Sequence, residues 1–229
     1  MNKIPSHFLI PCFNDSESLP QLLEDIKKYF QWSKIIIVDD GSSPKISLEN
    51  YPDLTVVRLE NNCGVGSALK AGMRFAVTDQ ATSIVTIDAD GQHLISEANK
   101  IINESQEFLV SIGSRRGSNY EWGFTRKIAH NILNKIVSII AQQIITDATS
   151  GFRLIKGLAI PKTIELLEDD YLDDTALLLV RYAMEKIQIK EVQIQMAKRT
   201  LGKASHSGVK LTAKYLSILT RILLEKRSS

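Results

Sequence analysis

Apolar and polar positions along this chain follow two rhythms. His7 to Phe13, Lys34 to Val38, Leu54 to Leu59, Ser83 to Ile87 and Phe108 to Ile112 are short apolar runs, rich in β-branched residues and bounded by turn formers, and they predict strands. The run ending at Val38 is almost continuously apolar, as expected of a strand buried on both faces of a parallel sheet. Between the strands the spacing changes to three and four. Leu19, Leu22, Leu23 and Ile26, with Tyr29 or Phe30, predict a helix that Ser16 or Ser18 can cap. Ala68, Leu69, Ala71, Met73 and Ala76 predict another, entered through the glycine-bearing loop Asn61 to Gly66. Strands alternating with helices predict an α/β fold: a mostly parallel central sheet flanked by helices on both faces.

The second half is helical for longer. A helix is expected from about Glu121 to Ile145, so apolar that it reads first as a core helix and second as a membrane-facing or dimer-forming surface. The segment Asp147 to Leu154, a helix from Asp173 to Lys186 and a strand from Ile189 to Gln195 follow. Near the end, Leu211, Tyr215, Ile218, Leu219, Ile222 and Leu223 fall at helical spacing opposite Lys210, Lys214, Ser217 and Arg221. This basic amphipathic helix either lies in a membrane interface or packs its stripe on the domain. The expected organisation is one domain over residues 1–206, with residues 207–229 as that helix.

Composition narrows the class. The chain has 229 residues, 44% hydrophobic and 24% charged, which suits one soluble globular domain. Its net charge of +2 hides an asymmetry, because residues 196–229 hold eight Lys and Arg against a single acid. Such an end can face anionic lipid or a phosphate ligand; without interleaved aromatics, nucleic acid is disfavoured. Cys12 and Cys63 show no Cys-x-x-Cys spacing, so zinc is not indicated and a reducing, cytoplasmic setting is expected. There is no secretory signal pattern, and no apolar run reaches the length of a membrane span.

The carboxylates carry the chemistry. Asp15 follows the first strand, Asp39 and Asp40 end the second, and Asp88 and Asp90 follow the fourth, so three elements aim acids at the carboxyl edge where open α/β sheets bind ligands. Like charges gathered at one edge cost stability unless a cation or ligand donors offset them. Aspartates two apart at a strand end, Asp88 and Asp90, suit a hard divalent cation and a bound phosphate.

Six blocks in order then become meaningful: Ile10-Pro11-Cys12-Phe13-Asn14, Ile37-Val38-Asp39-Asp40-Gly41-Ser42, Asn62 with Gly64 and Gly66, Asp88-Ala89-Asp90-Gly91-Gln92-His93, Gly113-Ser114-Arg115, and Ser150-Gly151-Phe152-Arg153. Together they resemble the family 2 glycosyltransferases of GT-A fold, nearest the dolichyl- and polyprenyl-phosphate sugar transferases. The resemblance implies inverting transfer of a sugar from a nucleotide-diphospho-sugar to an acceptor, assisted by Mg²⁺ or Mn²⁺. By it, Pro11, Phe13, Asp15, Val38, Asp39 and Asp40 would line the base and ribose pocket. Asp88, Ala89, Asp90 and Gln92 would serve the ribose, the diphosphate and the metal. Arg115 and Arg126 would meet phosphates or acceptor, and Arg199 would open a basic loop over them. This chain has Asp15 where the family usually has glutamate, and its loop Arg199 to His206 carries an extra residue, with Lys203 a candidate for the family's loop lysine.

The acceptor decides whether a base is needed. A lipid phosphate is already anionic near neutral pH, whereas a saccharide hydroxyl needs a general base, for which Asp147, Asp173 and Asp174 are candidates; either aspartate of the last pair can instead cap a helix. A non-catalytic nucleotide-sugar-binding protein is the rival reading. A phosphoryl-transfer enzyme with Asp-x-Asp after its first strand fits poorly, as does a dinucleotide-binding dehydrogenase, because Asn14-Asp15-Ser16 replaces the glycine turn. A homo-oligomer is compatible with everything above.

Overall fold

The computed structural model describes residues 5–47, 51–117, 124–167, 173–197 and 220–222. The elements in chain order are β1 His7–Cys12, α1 Leu19–Tyr29, β2 Lys34–Asp40, β3 Thr55–Leu59, α2 Val65–Thr78, β4 Ser83–Thr86, α3 Ser96–Glu104, β5 Val110–Ser114, α4 Phe124–Ala141, β6 Arg153–Lys156 and α5 Ala159–Leu166. A single π-helical turn, Asp173–Leu177, then enters α6, Leu178–Met184, and β7, Ile189–Gln193, follows. The strands form one seven-stranded sheet in the order β3-β2-β1-β4-β6-β5-β7.

The expected mostly parallel sheet is present. β1, β2, β3 and β4 run parallel, as do β5 and β7, while β6 is antiparallel to both its neighbours. Period-two alternation divides the core into two layers. Leu9, Ile36, Val38 and Ile84 face one layer with α2, α4 and α6; Phe8, Ile10, Ile35, Ile37 and Val85 face the other with α1 and α3. Because both faces are covered, the strands read as continuous apolar runs rather than as alternation. The order 2-1-4 places a topological switch between β1 and β4, the crevice where such sheets bind ligands.

Several expectations need correction. The long helix ends at Ala141, not Ile145, because Gln142 turns the chain with positive φ. It is also not buried all round: Leu133 and Val137 face the core, but Ile128, Ile132 and Ile139 are exposed. Its expected start at Glu121 lies outside the described residues. The helix expected from Asp173 divides into the π turn and a short α6, and α3, β6 and α5 were not anticipated. Of the terminal amphipathic helix, Thr220 to Ile222 is described; it is helical, and Ile222 is buried in the layer that holds Leu133 and Val137.

Candidate active site

Strand direction brings the polar residues to one rim. β2 ends at Asp39 and Asp40, Asp88 stands two residues past β4, and Arg115 follows β5. β6 runs the other way, so its first residue, Arg153, pairs with Thr86 and Ile112 and sits at the same rim. Only β1 separates β2 from β4, which puts their ends two strand spacings apart, about 10 Å. The carboxylates therefore share one edge with two arginines.

Asp88 stands in the middle. His93 Nε2–H donates to its Oδ2 at 3.2 Å, and Phe152 packs on the His93 ring with centroids 5.0 Å apart. Gly151 backs the same carboxylate so closely that a Cβ there would lie 2.8 Å from Oδ1. The Asp88 side chain keeps 47% exposure, open to a ligand on one side and crowded by protein on the other. Burial works against its charge, but the hydrogen bond and charge of His93, then the charges of Arg115 and Arg153, outweigh it and hold the carboxyl below its ordinary range. Asp90 is half-buried beside it and accepts the Gln92 backbone N–H at 3.0 Å.

Arg115 is fixed by a buried network. Its Nε and Nη2 donate to the two oxygens of Asp147 at 2.6 and 2.7 Å, and Nη2 also donates to Thr149 Oγ1 at 2.8 Å. His130 of α4 donates to Asp147 Oδ1 at 3.1 Å, and Asn134, one turn on, holds His130 Nδ1 and the backbone of Thr146 and Ala148. Glu191 of β7 accepts the Thr146 and Asp147 backbone N–H groups. Asp147, a candidate base by its place in the sequence, sits inside this network. Burial raises its proton affinity, yet the charge and hydrogen bonds of Arg115 and then those of His130 dominate, holding it far below the ordinary range. A carboxylate so held and 1% exposed is a poor proton acceptor.

The residues expected at the base pocket divide. Phe13 is exposed, and Pro11 and Asp15 are half-buried at the end of β1. Val38 is fully buried against α2, and Ala89 is buried with its carbonyl taken by the Ser18 hydroxyl at 2.8 Å. Asp39 accepts Ser42 N–H at 2.8 Å and a close Arg58 guanidinium; burial raises its proton affinity, but the Ser42 and Ile46 hydrogen bonds and the Arg58 charge leave it lowered. Asp40 accepts Cys63 and Gly64 N–H at 2.8 and 2.9 Å, so it organises the glycine loop, and burial pushes its carboxyl up. Both carboxylates are thus committed to the fold, and Arg58, 30% exposed, is the more accessible partner of its pair.

The side chains of Arg126, Asp173 and Asp174 and all of Arg199 lie outside the described residues. Residue-by-residue reading assigned no role to His93, Gly151 and Arg153, although all three stand in the quoted blocks. Arg58 and His130 left no signal, because their partners are distant in sequence. Among the described residues no group of three or more His, Cys, Asp and Glu forms a ready metal cage. None of their helices is long and apolar enough to cross a membrane.

Comparison with known proteins follows the same lines. Residues 8–160 match the family profile described as Glycosyl transferase family 2. The chain is 28% identical to the UDP-N-acetylglucosamine--dolichyl-phosphate N-acetylglucosaminyltransferase of Methanococcus voltae, over 96% of this chain and 95% of that one. It is 26% identical to the undecaprenyl-phosphate mannosyltransferase of Micrococcus luteus, over 87% and 86%. In structure it is similar to glucosyl-3-phosphoglycerate synthase from Mycobacterium tuberculosis, solved with Mn²⁺, uridine-diphosphate-glucose and phosphoglyceric acid, with a TM-score of 0.64 and 14% identity over 96% of this chain and 78% of that one. The fold is GT-A. With two thirds of its length inside the profile and the acid-and-arginine rim in place, the chain belongs to glycosyl transferase family 2.

Proposed function

We propose that this protein transfers a sugar from a nucleotide-diphospho-sugar to the phosphate of a polyprenyl lipid, with inversion at the sugar carbon. The observation that carries the reading is Asp88, a carboxylate kept ionised and half-open between His93, Arg115 and Arg153 at the switch of the sheet. The leaving group is a nucleoside diphosphate, and guanidinium charge at the rim stabilises the negative charge that builds on it. Two relatives named for lipid-phosphate acceptors, matched over most of their length, support the acceptor class. So does the state of Asp147: the buried candidate base is occupied by Arg115, and an acceptor phosphate needs no base.

A divalent cation fits this rim. Asp88 and Asp90 are two hard oxygen donors, one of them held ionised, and Gly151 leaves room beside Asp88 that any larger residue would fill. These two would hold Mg²⁺ or Mn²⁺ with Gln92 close by, and diphosphate oxygens and water would complete the shell. When bound, the cation would neutralise the diphosphate. Phe13 and Pro11 at the end of β1 offer an apolar wall for the base, with Arg58 at its far side.

The test is transfer of radiolabel from a panel of UDP- and GDP-sugars to undecaprenyl and dolichyl phosphate, read as label entering the organic phase, with Mn²⁺, Mg²⁺ or chelator. Transfer from one donor that Asp90→Ala abolishes is expected. Donor binding without transfer to any lipid phosphate, together with transfer to a sugar hydroxyl, would move the protein to polysaccharide assembly. Binding without either reaction would make it a nucleotide-sugar-binding protein.

A further inference from the structure

The outward face of α4 has no partner among the described residues and an unusual chemistry. Ile128, Ile132 and Ile139 are 46, 48 and 61% exposed, and at 100° per residue they fall within a wedge of about 40°. Lys127 and Lys135 are exposed beside them. On the other side of the helix, Leu133 and Val137 enter the core while His130 and Asn134 hold the Asp147 turn. The helix is therefore locked to the catalytic rim by one side and shows solvent a row of isoleucines edged with lysine.

We propose that this face is a docking surface for an anionic lipid bilayer. The inference rests on the acceptor reading above and deepens it. Charge selects the occupant. From Phe124 to Ala141 the helix carries Arg126, Lys127 and Lys135 and no acidic residue. A second copy of the same face would set lysine against lysine with no counter-charge, which disfavours self-association. An anionic headgroup layer supplies that counter-charge, and the isoleucines reach the acyl boundary below it. Residues 196–229, with eight Lys and Arg to one acid, add charge of the same sign.

Geometry gives the docking a purpose. α4 follows the connection that leaves the rim at Arg115, and its 18 residues extend about 27 Å. A helix lying along the membrane would keep its first turns, with Ile128 and Ile132, close to the Asp147–Arg115 pair. A lipid-borne phosphate could then reach the arginine while its chain stayed in the bilayer. His130 makes the link rigid, because on the opposite side of the same turns from Ile128 and Ile132 it ties α4 to Asp147, the partner of Arg115.

The experiment is co-sedimentation of the full chain with vesicles of phosphatidylglycerol mixed with phosphatidylcholine, and with phosphatidylcholine alone. The parent should bind the anionic vesicles. The I128S/I132S/I139S variant should bind about tenfold more weakly or worse, and K127E/K135E should lose the preference for phosphatidylglycerol. Melting temperature controls for folding, and the lysine variant tests the surface independently should the triple variant not fold. On a short, water-soluble prenyl phosphate the triple variant should keep the parent's rate. Undiminished vesicle binding by both variants would overturn the proposal, as would a parent dimer that the serine changes split. A parent inactive on every prenyl phosphate, yet bound to vesicles through these residues, would refute the acceptor reading and uphold the surface.

Discussion

The guanidinium of Arg115 grips both carboxylate oxygens of Asp147, at 2.6 and 2.7 Å, inside the protein rather than at its surface. A buried, bidentate pair costs desolvation to form, and more to break from one side, because the surviving charge is left uncompensated. Asp147→Ala should therefore destabilise the fold by about 3–5 kcal/mol, measured by urea denaturation. Arg115→Lys keeps the charge but not the planar fork, so it should cost less stability while lowering kcat at least about tenfold. Equal and small effects of both changes on stability and rate would show that the pair does not position the arginine.

How far this was legible in the sequence differs between the pair's two members. Arg115 stands in a short block after an apolar strand, and its place at the rim follows from sheet direction alone. Asp147 reads as a candidate base from its place just before the Ser150-Gly151-Phe152-Arg153 block. Its burial depends on His130 and Asn134 of α4 and Glu191 of β7, contacts made across 14 to 44 residues that no local pattern reports. The same limit applies to Asp39, whose partner Arg58 is on the neighbouring strand. β6 is not legible because its four residues, between Phe152 and Gly157, carry too little periodicity, although its antiparallel course puts Arg153 beside Asp88. Strands with both faces covered were readable, since parallel sheets give long apolar runs.

Acid should unfold the protein in a way that Asp147 largely sets. Asp39, Asp88 and Asp147 have folded-state affinities for protons below their unfolded values, so the stability they contribute is full above the ordinary carboxylate range, about pH 4, and is lost as pH falls below it. Asp40 and Glu191 are raised by burial and act oppositely, gaining stability as pH falls toward that range. Urea midpoints should thus stay nearly level from about pH 7 to pH 5 and drop steeply below about pH 4. Asp147→Asn should flatten the acid limb; an unchanged limb would place the acid sensitivity elsewhere.

The two thiols should be distinguishable by reagent alone. Cys63 is exposed, while Cys12 is buried at the end of β1 with burial pushing its thiol up to about 11. A thiolate-dependent disulfide reagent at neutral pH should label Cys63 at once and Cys12 only as urea unfolds the chain. In a Cys63→Ser protein the remaining label should follow the unfolding curve. Rapid reaction of two thiols in the native state would contradict the packing at that strand end.

Two glycines offer a sharper separation of fold from site. A methyl added at Gly72 would strike Leu9 Cδ1 and Val38 Cγ2, both buried side chains with nowhere to move. Overpacking of that kind costs about 1–3 kcal/mol, so Gly72→Ala should lower the melting temperature while leaving donor affinity near its parent value. At Gly151 the methyl would instead stand 2.8 Å from Asp88 Oδ1 and 3.2 Å from Oδ2. Asp88 is half-exposed and free to swing away, so the fold yields cheaply, but the carboxylate then leaves His93 and the place where it would meet a cation and diphosphate. Gly151→Ala should change the melting temperature little and weaken nucleotide-sugar binding in the presence of Mn²⁺ by about tenfold or more, read by calorimetry. Tight donor binding by this variant would mean that the Asp88 carboxylate does not hold the donor, and the assignment of the rim would have to be redrawn around Asp90 and the arginines alone.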